Sequence, residues 1–426
     1  MRKIFILMVF LIGGASGEVA AQMELFKGTF QEALEKAKKE NKDLFVDFYA
    51  DWCAPCKQMA AEVFTLPEVG DYFNSRFVCV QVDADAKENK EIAKKYDVTA
   101  LPTLVFVRAK DEKEIRRVRG AVAPDMLIRE AKIAAGEELS FEQLYEKYKK
   151  NKKDIDVQQQ LLLNVPVFMM TRNGYERQKW ATRVESLFPE YLKNKKLENM
   201  INETDFALLT MFHPQTDKED PIFDFVVANY PKFVTVVGKD AVASYIIGMN
   251  NGYIIRLCRR GNLAYKERLS RVNGDLKEVY SGFSFGTLSV LDAMTLLADA
   301  TYNLYRHNEM AFFENMDKYF TGKGEQVTLV DYTQALEDLA IVYKGEMSQN
   351  AYTKCIPWIT KALEMDMEAM FRARLLVMLG QCFQKTDNPE KAKQCFNQAY
   401  LVSAEIEDQM QMQQMQEIIK QSLQGL

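Results

Sequence analysis

Apolar and polar positions change their period several times along the chain. Between Thr29 and about Asn41 the apolar residues Phe30, Ala33, Leu34 and Ala37 recur at helical spacing, with Thr29 placed to cap the helix. Leu44 to Ala50 reads as the central strand, apolar and buried. Asp47 interrupts it. A carboxylate in such a strand is costly without a partner or a function. After Trp52 the pattern becomes helical, and Pro67 opens a short helical turn carrying Val69, Tyr72 and Phe73. Phe77 to Val82 reads as a second strand, Glu88 to Tyr96 as a helix and Thr103 to Val107 as a third strand. Glu114 to Arg119 follows as its hairpin partner and Pro124 to Ala135 as a closing helix. The alternation predicts an α/β fold over about residues 22–137, a mixed central sheet flanked by helices.

At Gly136 the pattern changes. Ser140 with Gln143 has the spacing of a capping box, and from there on helical periodicity dominates. Residues 138–426 are therefore expected to form an all-α domain. Towards its end Leu379, Gly380, Phe383, Ala392, Phe396 and Ala399 fall at the spacings of a tetratricopeptide repeat, with Asn388-Pro389 in the turn. That places one repeat-like unit at about 373–406. Leu339, Tyr343 and Ala362 make a looser copy, and Leu297 to Tyr319 a weaker one. A single unit cannot bury its own face, so stacked neighbours are required.

The candidate chemistry lies where the central strand gives way to a helix. Cys53 and Cys56 are two residues apart there, and Cys53 falls at the helix N-terminus, where free N–H groups and the helix dipole favour a thiolate. That makes Cys53 the nucleophile and places Cys56 to resolve a mixed disulfide. Zinc sites use the same spacing but normally need a second pair of ligands. Cys79, the other cysteine of this region, lies in an apolar run, so no metal is expected. Cys258, Cys355, Cys382 and Cys395 sit on apolar helical faces as small buried side chains; pairing of Cys382 with Cys395 across one repeat stays open. His213 and His307, the two histidines, are far apart in sequence and read as ordinary helix-end or surface residues.

By these residues the chain resembles the thioredoxin family. The resemblance rests on Asp47, Phe48, Tyr49, Ala50, Asp51, Trp52 and the run Cys53-Ala54-Pro55-Cys56-Lys57, then on Leu101-Pro102-Thr103 and Gly120-Ala121. It implies a cis bond before Pro102, a redox-active Cys53–Cys56 disulfide, and Asp47 as the base that takes the Cys56 proton. It also implies a client-binding rim of Trp52, Pro55, Leu101, Pro102 and Ala121. Two positions depart from the common thioredoxin pattern. Ala61 stands where the active-site helix usually carries a bending proline, and Gln81 where a lysine often lies near the buried acid. The stretch from Cys56 to Val69 is more similar to the C-terminal, electron-passing domain of the transmembrane thiol:disulfide interchange reductases.

Composition narrows the partners. The chain has 426 residues, 27% of them charged, with a net charge of −5 and no single strong basic patch, which argues against nucleic acid. The basic run Lys147 to Lys153 reads as a solvated helix face. No cofactor is implied. Arg2 and Lys3 precede an apolar run from Ile4 to Ile12, and Val19-Ala20-Ala21 suits cleavage before Gln22, so residues 1–21 read as a signal peptide. The expected location is periplasmic or secreted. Outside the cytosol a dithiol reductant needs an electron donor, here expected in the membrane, and its clients would be disulfide-containing proteins.

Two functions follow. In the first the chain is an exported thiol-disulfide oxidoreductase. An Ala-Pro dipeptide between the cysteines offers no histidine to stabilise the thiolate, which favours a reductant or isomerase over a strong oxidant. In the alternative the helical domain carries the main role, binding a protein partner, with the cysteine domain as adaptor or redox sensor.

Overall fold

The computed structural model describes residues 22–426; the expected signal peptide lies outside the described residues. Contacts divide the chain into two compact units, with the boundary between Val184 and Glu185.

The first unit is built on a five-stranded sheet in the order β1-β3-β2-β4-β5. The strands are β1 (Leu25–Phe26), β2 (Asp43–Tyr49), β3 (Phe77–Asp83), β4 (Thr103–Arg108) and β5 (Lys113–Arg119). β1 and β2 run parallel to β3, while β4 runs antiparallel to both β2 and β5. Two-residue β1 was not anticipated; it exists only through its pairing with Cys79 and Val80. The helices are α1 (Phe30–Glu40), α2 (Ala54–Glu62), α3 (Pro67–Arg76), α4 (Lys90–Lys95) and α5 (Pro124–Ala134). Thr29 caps α1 in a full capping box with Glu32.

Side-chain alternation sorts the core into two layers. Leu44, Val46 and Phe48 of β2 face a layer with Phe30 and Leu34 of α1 and Tyr96 just after α4. Phe45 faces the other way, onto Met59 of α2, Phe73 of α3 and Leu127 of α5. By the same alternation Asp47 belongs to the α2 side.

The helical pattern begins after α5, as expected, but the compact unit does not end at 137. It continues through α6 (Phe141–Lys150), α7 (Ile155–Met170) and nearly all of α8 (Gly174–Glu185). An aromatic cluster ties these helices together: Phe141 stacks on Phe168 at 4.0 Å, and Trp180 meets both edge-on. Ser140 and Gln143 form the capping box of α6. Its last turn carries Lys147, Lys149 and Lys150 on the solvent side, where they complement the helix C-terminus.

The second unit is helical throughout, apart from one isolated bridge between Phe285 and Leu288. Its C-terminal part contains three consecutive helix pairs, Val290–Leu304 with Glu309–Lys323, Leu329–Tyr343 with Gln349–Leu363, and Ala369–Lys385 with Pro389–Ser403. A last helix, Gln409–Gln424, covers the end. The two weaker copies in the sequence are thus complete helical hairpins. Their starts lie about 39 residues apart, longer than the 34 of a standard tetratricopeptide unit, which blurs the motif. In the third pair Gly380 permits close packing, because a Cβ there would lie 2.7 Å from Cδ1 of Phe396. His213 ends a helix, with Nδ1 2.7 Å from the Tyr245 hydroxyl and Nε2 3.1 Å from Asp220. Among the described residues no helix is long and apolar enough to cross a membrane.

Candidate active site

β2 delivers its chain directly into the Cys53 loop. Cys53 is the N-cap of α2, with Pro55 in the first turn, and its Sγ accepts a hydrogen bond from the Cys56 N–H at 3.2 Å. Cys53 and Cys56 are joined in a disulfide with Cα atoms 5.3 Å apart. Both residues are buried, whereas Trp52, beside them, is 72% exposed and Pro55 is exposed. The Trp52 indole N–H donates to Asp85 Oδ2 at 2.6 Å, fixing the ring over the loop that follows β3. Asp85 escaped the sequence reading, since it sits on an irregular turn with no periodicity to mark it.

Register places the remaining residues at the same end of the sheet. Thr103 pairs with Phe48, so the Leu101-Pro102 segment enters beside the exit of β2. The Leu101-Pro102 bond is cis. Gly120 N–H donates to the Pro102 carbonyl at 2.8 Å, which sets exposed Ala121 next to the Pro102 loop. Pro102 is buried and Leu101 half-buried. Such a cluster at the carboxyl ends of parallel strands is where open α/β sheets commonly build their sites.

Asp47 lies in the middle of β2, opposite Gln81 on β3 and Leu104 on β4. It is 1% exposed. Gln81 Nε2 donates to Asp47 Oδ2 at 2.9 Å, while Oδ1 has no hydrogen-bond partner. Burial pushes the carboxyl up to about 6, and the Gln81 hydrogen bond only partly offsets it. A buried carboxyl that titrates near neutrality, on the sheet face covered by the cysteine helix, is suited to exchanging protons. Cys79 is buried and burial pushes its thiol up, so it is a packing residue. Among the described residues no group of three or more histidine, cysteine or acidic side chains is arranged to hold a metal.

A cysteine pair at a helix N-terminus on a mixed sheet, backed by a buried acid, defines a thiol-disulfide oxidoreductase domain. A thioredoxin-like domain profile matches residues 30–134. Chloroplastic thioredoxin Y of Oryza sativa subsp. japonica is 36% identical over 121 residues, 28% of this chain and 66% of that protein. The chain thus spans just under two thirds of that relative's length. A thioredoxin of Echinococcus granulosus is 40% identical over 90 residues, 21% of this chain and 77% of that protein. The chain belongs to the thioredoxin family.

Among solved structures, a putative disulphide-isomerase from Bacteroides thetaiotaomicron is 36% identical, covering 28% of this chain and 97% of that one, with a TM-score of 0.26. The oxidised DsbD C-terminal domain of Neisseria meningitidis is 33% identical over 25% of this chain and 94% of that one, TM-score 0.22. A tetratricopeptide repeat protein from Parabacteroides merdae covers 70% of this chain and 95% of that one at 12% identity and a TM-score of 0.28.

Proposed function

We propose that this chain is an exported enzyme that reduces or isomerises disulfides in partner proteins. The observation that carries the reading is the Cys53–Cys56 disulfide at the start of α2, with Asp47 buried on the sheet face that α2 covers.

In the reduced enzyme the Cys53 thiolate attacks one sulfur of a client disulfide and expels the other as a thiolate, leaving a mixed disulfide. Cys56 then loses its proton to Asp47, directly or through water, and attacks Cys53. The client leaves with two thiols, and Cys53–Cys56 holds the disulfide it gave up. Two electrons have passed from enzyme to client. With its carboxyl at about 6, Asp47 is mostly ionised at pH 7 and can accept that proton. Trp52, Pro55, Leu101, Pro102 and Ala121 form the rim on which the client segment lies. Turnover requires a donor of two electrons, assigned to a membrane reductase on the strength of the leader-like residues 1–21. The helical unit selects the client or docks a protein partner, as stacked helix pairs are suited to do.

The test is a Cys56→Ser variant, expected to trap mixed disulfides with its clients through Cys53. A folded variant that traps nothing would count against the enzyme. The reduction potential of the wild-type pair sets the direction. A value near about −270 mV supports a reductant, and one near about −120 mV would reverse the direction of electron flow.

A further inference from the structure

The helical unit brings together two cysteines that neither the active site nor the proposed reaction uses. Cys355 lies on Gln349–Leu363 and Cys382 on Ala369–Lys385, adjacent helices of consecutive pairs. Both are buried in one core cluster, close enough for Cys382 to act on the Cys355 thiol. The pairing open in the sequence was Cys382 with Cys395, within one repeat. Cys395 belongs to the same cluster, yet it is Cys355, across the repeat boundary, that shares a cavity with Cys382.

Both residues line a cavity of about 300 Å³. Its walls include Met347, Tyr352 and Met378, and its rim carries the exposed side chains of Gln381 and Lys385. A small molecule therefore has a route from solvent to the pair.

We infer that Cys355 and Cys382 form a second redox-sensitive dithiol, which a low-molecular-weight disulfide oxidises to a bond between consecutive helix pairs. Cys382 lies on the helix that supplies the exposed Gln381 and Lys385, so the first attack falls to it. Cys382 attacks the small disulfide, R–S–S–R, and expels one R–S⁻. Cys355 then attacks the mixed disulfide and expels the second. Two protein thiols are oxidised by two electrons, and the small disulfide leaves as two R–SH carrying the two protons. The new bond closes a loop through the turn between the repeats, where it would restrict the unfolded chain and hold the two pairs in register.

The experiment uses the chain with Cys53→Ser and Cys56→Ser, which leaves five thiols. After incubation with oxidised glutathione, thiol titration in denaturant is expected to find three, and peptide mapping to find Cys355 joined to Cys382. The thermal midpoint should rise by roughly 5 °C or more. Five remaining thiols, a stable glutathione adduct without a crosslink, or a Cys382–Cys395 bond would each overturn the inference. A further Cys382→Ala exchange, checked for folding by circular dichroism, should leave the thiol number unchanged by the same treatment. A loss of two thiols there would identify a different pair and defeat the assignment; Cys355→Ala gives the same test if the first variant fails to fold.

Discussion

Gln81 Nε2 donates to Asp47 Oδ2 at 2.9 Å across the parallel pairing of β2 and β3. The donor is neutral, so this contact only partly repays the burial of a full negative charge, and the carboxyl rises to about 6. A hydrogen bond to an ionised group is worth about 1.5–3 kcal/mol, or roughly one to two pKa units. Gln81→Leu should therefore raise the Asp47 titration by at least about one unit, and Gln81→Lys should bring it below that of the wild type. Carbon-13 NMR of the Asp47 carboxyl measures both. An unchanged midpoint in the leucine variant would show that the contact does not act on the carboxylate.

The same value sets a pH dependence for the second chemical step. Below about pH 6 Asp47 holds its own proton and cannot accept one from Cys56. Release of a client from the mixed disulfide should slow as pH falls through that range. Asp47→Asn should remove this inflection and slow release near neutrality by about 10-fold or more, within the usual range for a general base. Stopped-flow release of a fluorescent peptide disulfide would follow it. Retention of the inflection in the asparagine variant would assign it to another group.

Stability should move the opposite way. The folded-state carboxyl titrates at about 6 against an ordinary 3.8, so between those values the folded protein binds more protons than the unfolded chain. Stability therefore falls as pH rises through this window, and the ionised acid costs up to about 3 kcal/mol above it. Asp47→Asn is expected to stabilise the protein at pH 7 by an amount of that order and to change little at pH 3. Denaturant unfolding at the two pH values decides it; a variant no more stable than wild type at pH 7 would mean that Asp47 is compensated in a way its single hydrogen bond does not reveal.

The position of this acid is legible in the sequence alone, because one polar residue in a run as apolar as Leu44 to Ala50 stands out whatever its partners are. Thr29 and Ser140 are legible for a similar reason: a cap is a local motif, complete within four residues. What sequence could not supply was contact between segments. Asp85 becomes a partner of Trp52 only when β3 lies beside β2, and Cys355 meets Cys382 only when successive repeats stack. Judged by chain proximity, Cys395 was the nearer candidate. The extension of the first unit to Val184 rests on packing of α6 to α8, and a change of periodicity at Gly136 says where helices begin, not which neighbours they choose.

The bond between Trp52 and Asp85 tests whether the rim binds clients. At 72% exposure the indole has little packing to hold it, so the 2.6 Å hydrogen bond is its main restraint. Asp85→Ala should lower kcat/KM for a protein disulfide by about fivefold, equivalent to about 1 kcal/mol. Turnover of a small aromatic disulfide, which needs only the thiols, should hardly change. Equal losses for both substrates would place the effect on the cysteine chemistry rather than on client binding.

Close packing of the third helix pair supplies a test that leaves the thiol site intact. Gly380 is buried against Phe396, and an alanine Cβ would lie 2.7 Å from its Cδ1 in a ring with no exposed surface and hence little room to move. Overpacking of this kind costs about 1–3 kcal/mol. Alanine's better helix propensity returns about 1 kcal/mol. Gly380→Ala should still destabilise the helical unit, seen as a lower midpoint in thermal unfolding followed by circular dichroism. Adding Phe396→Leu, which removes the ring edge, should recover part of the loss even though that exchange alone is destabilising. Simple additivity of the two effects would mean that the backbone shifts to absorb the methyl group, and that Gly380 is there for some reason other than contact with Phe396.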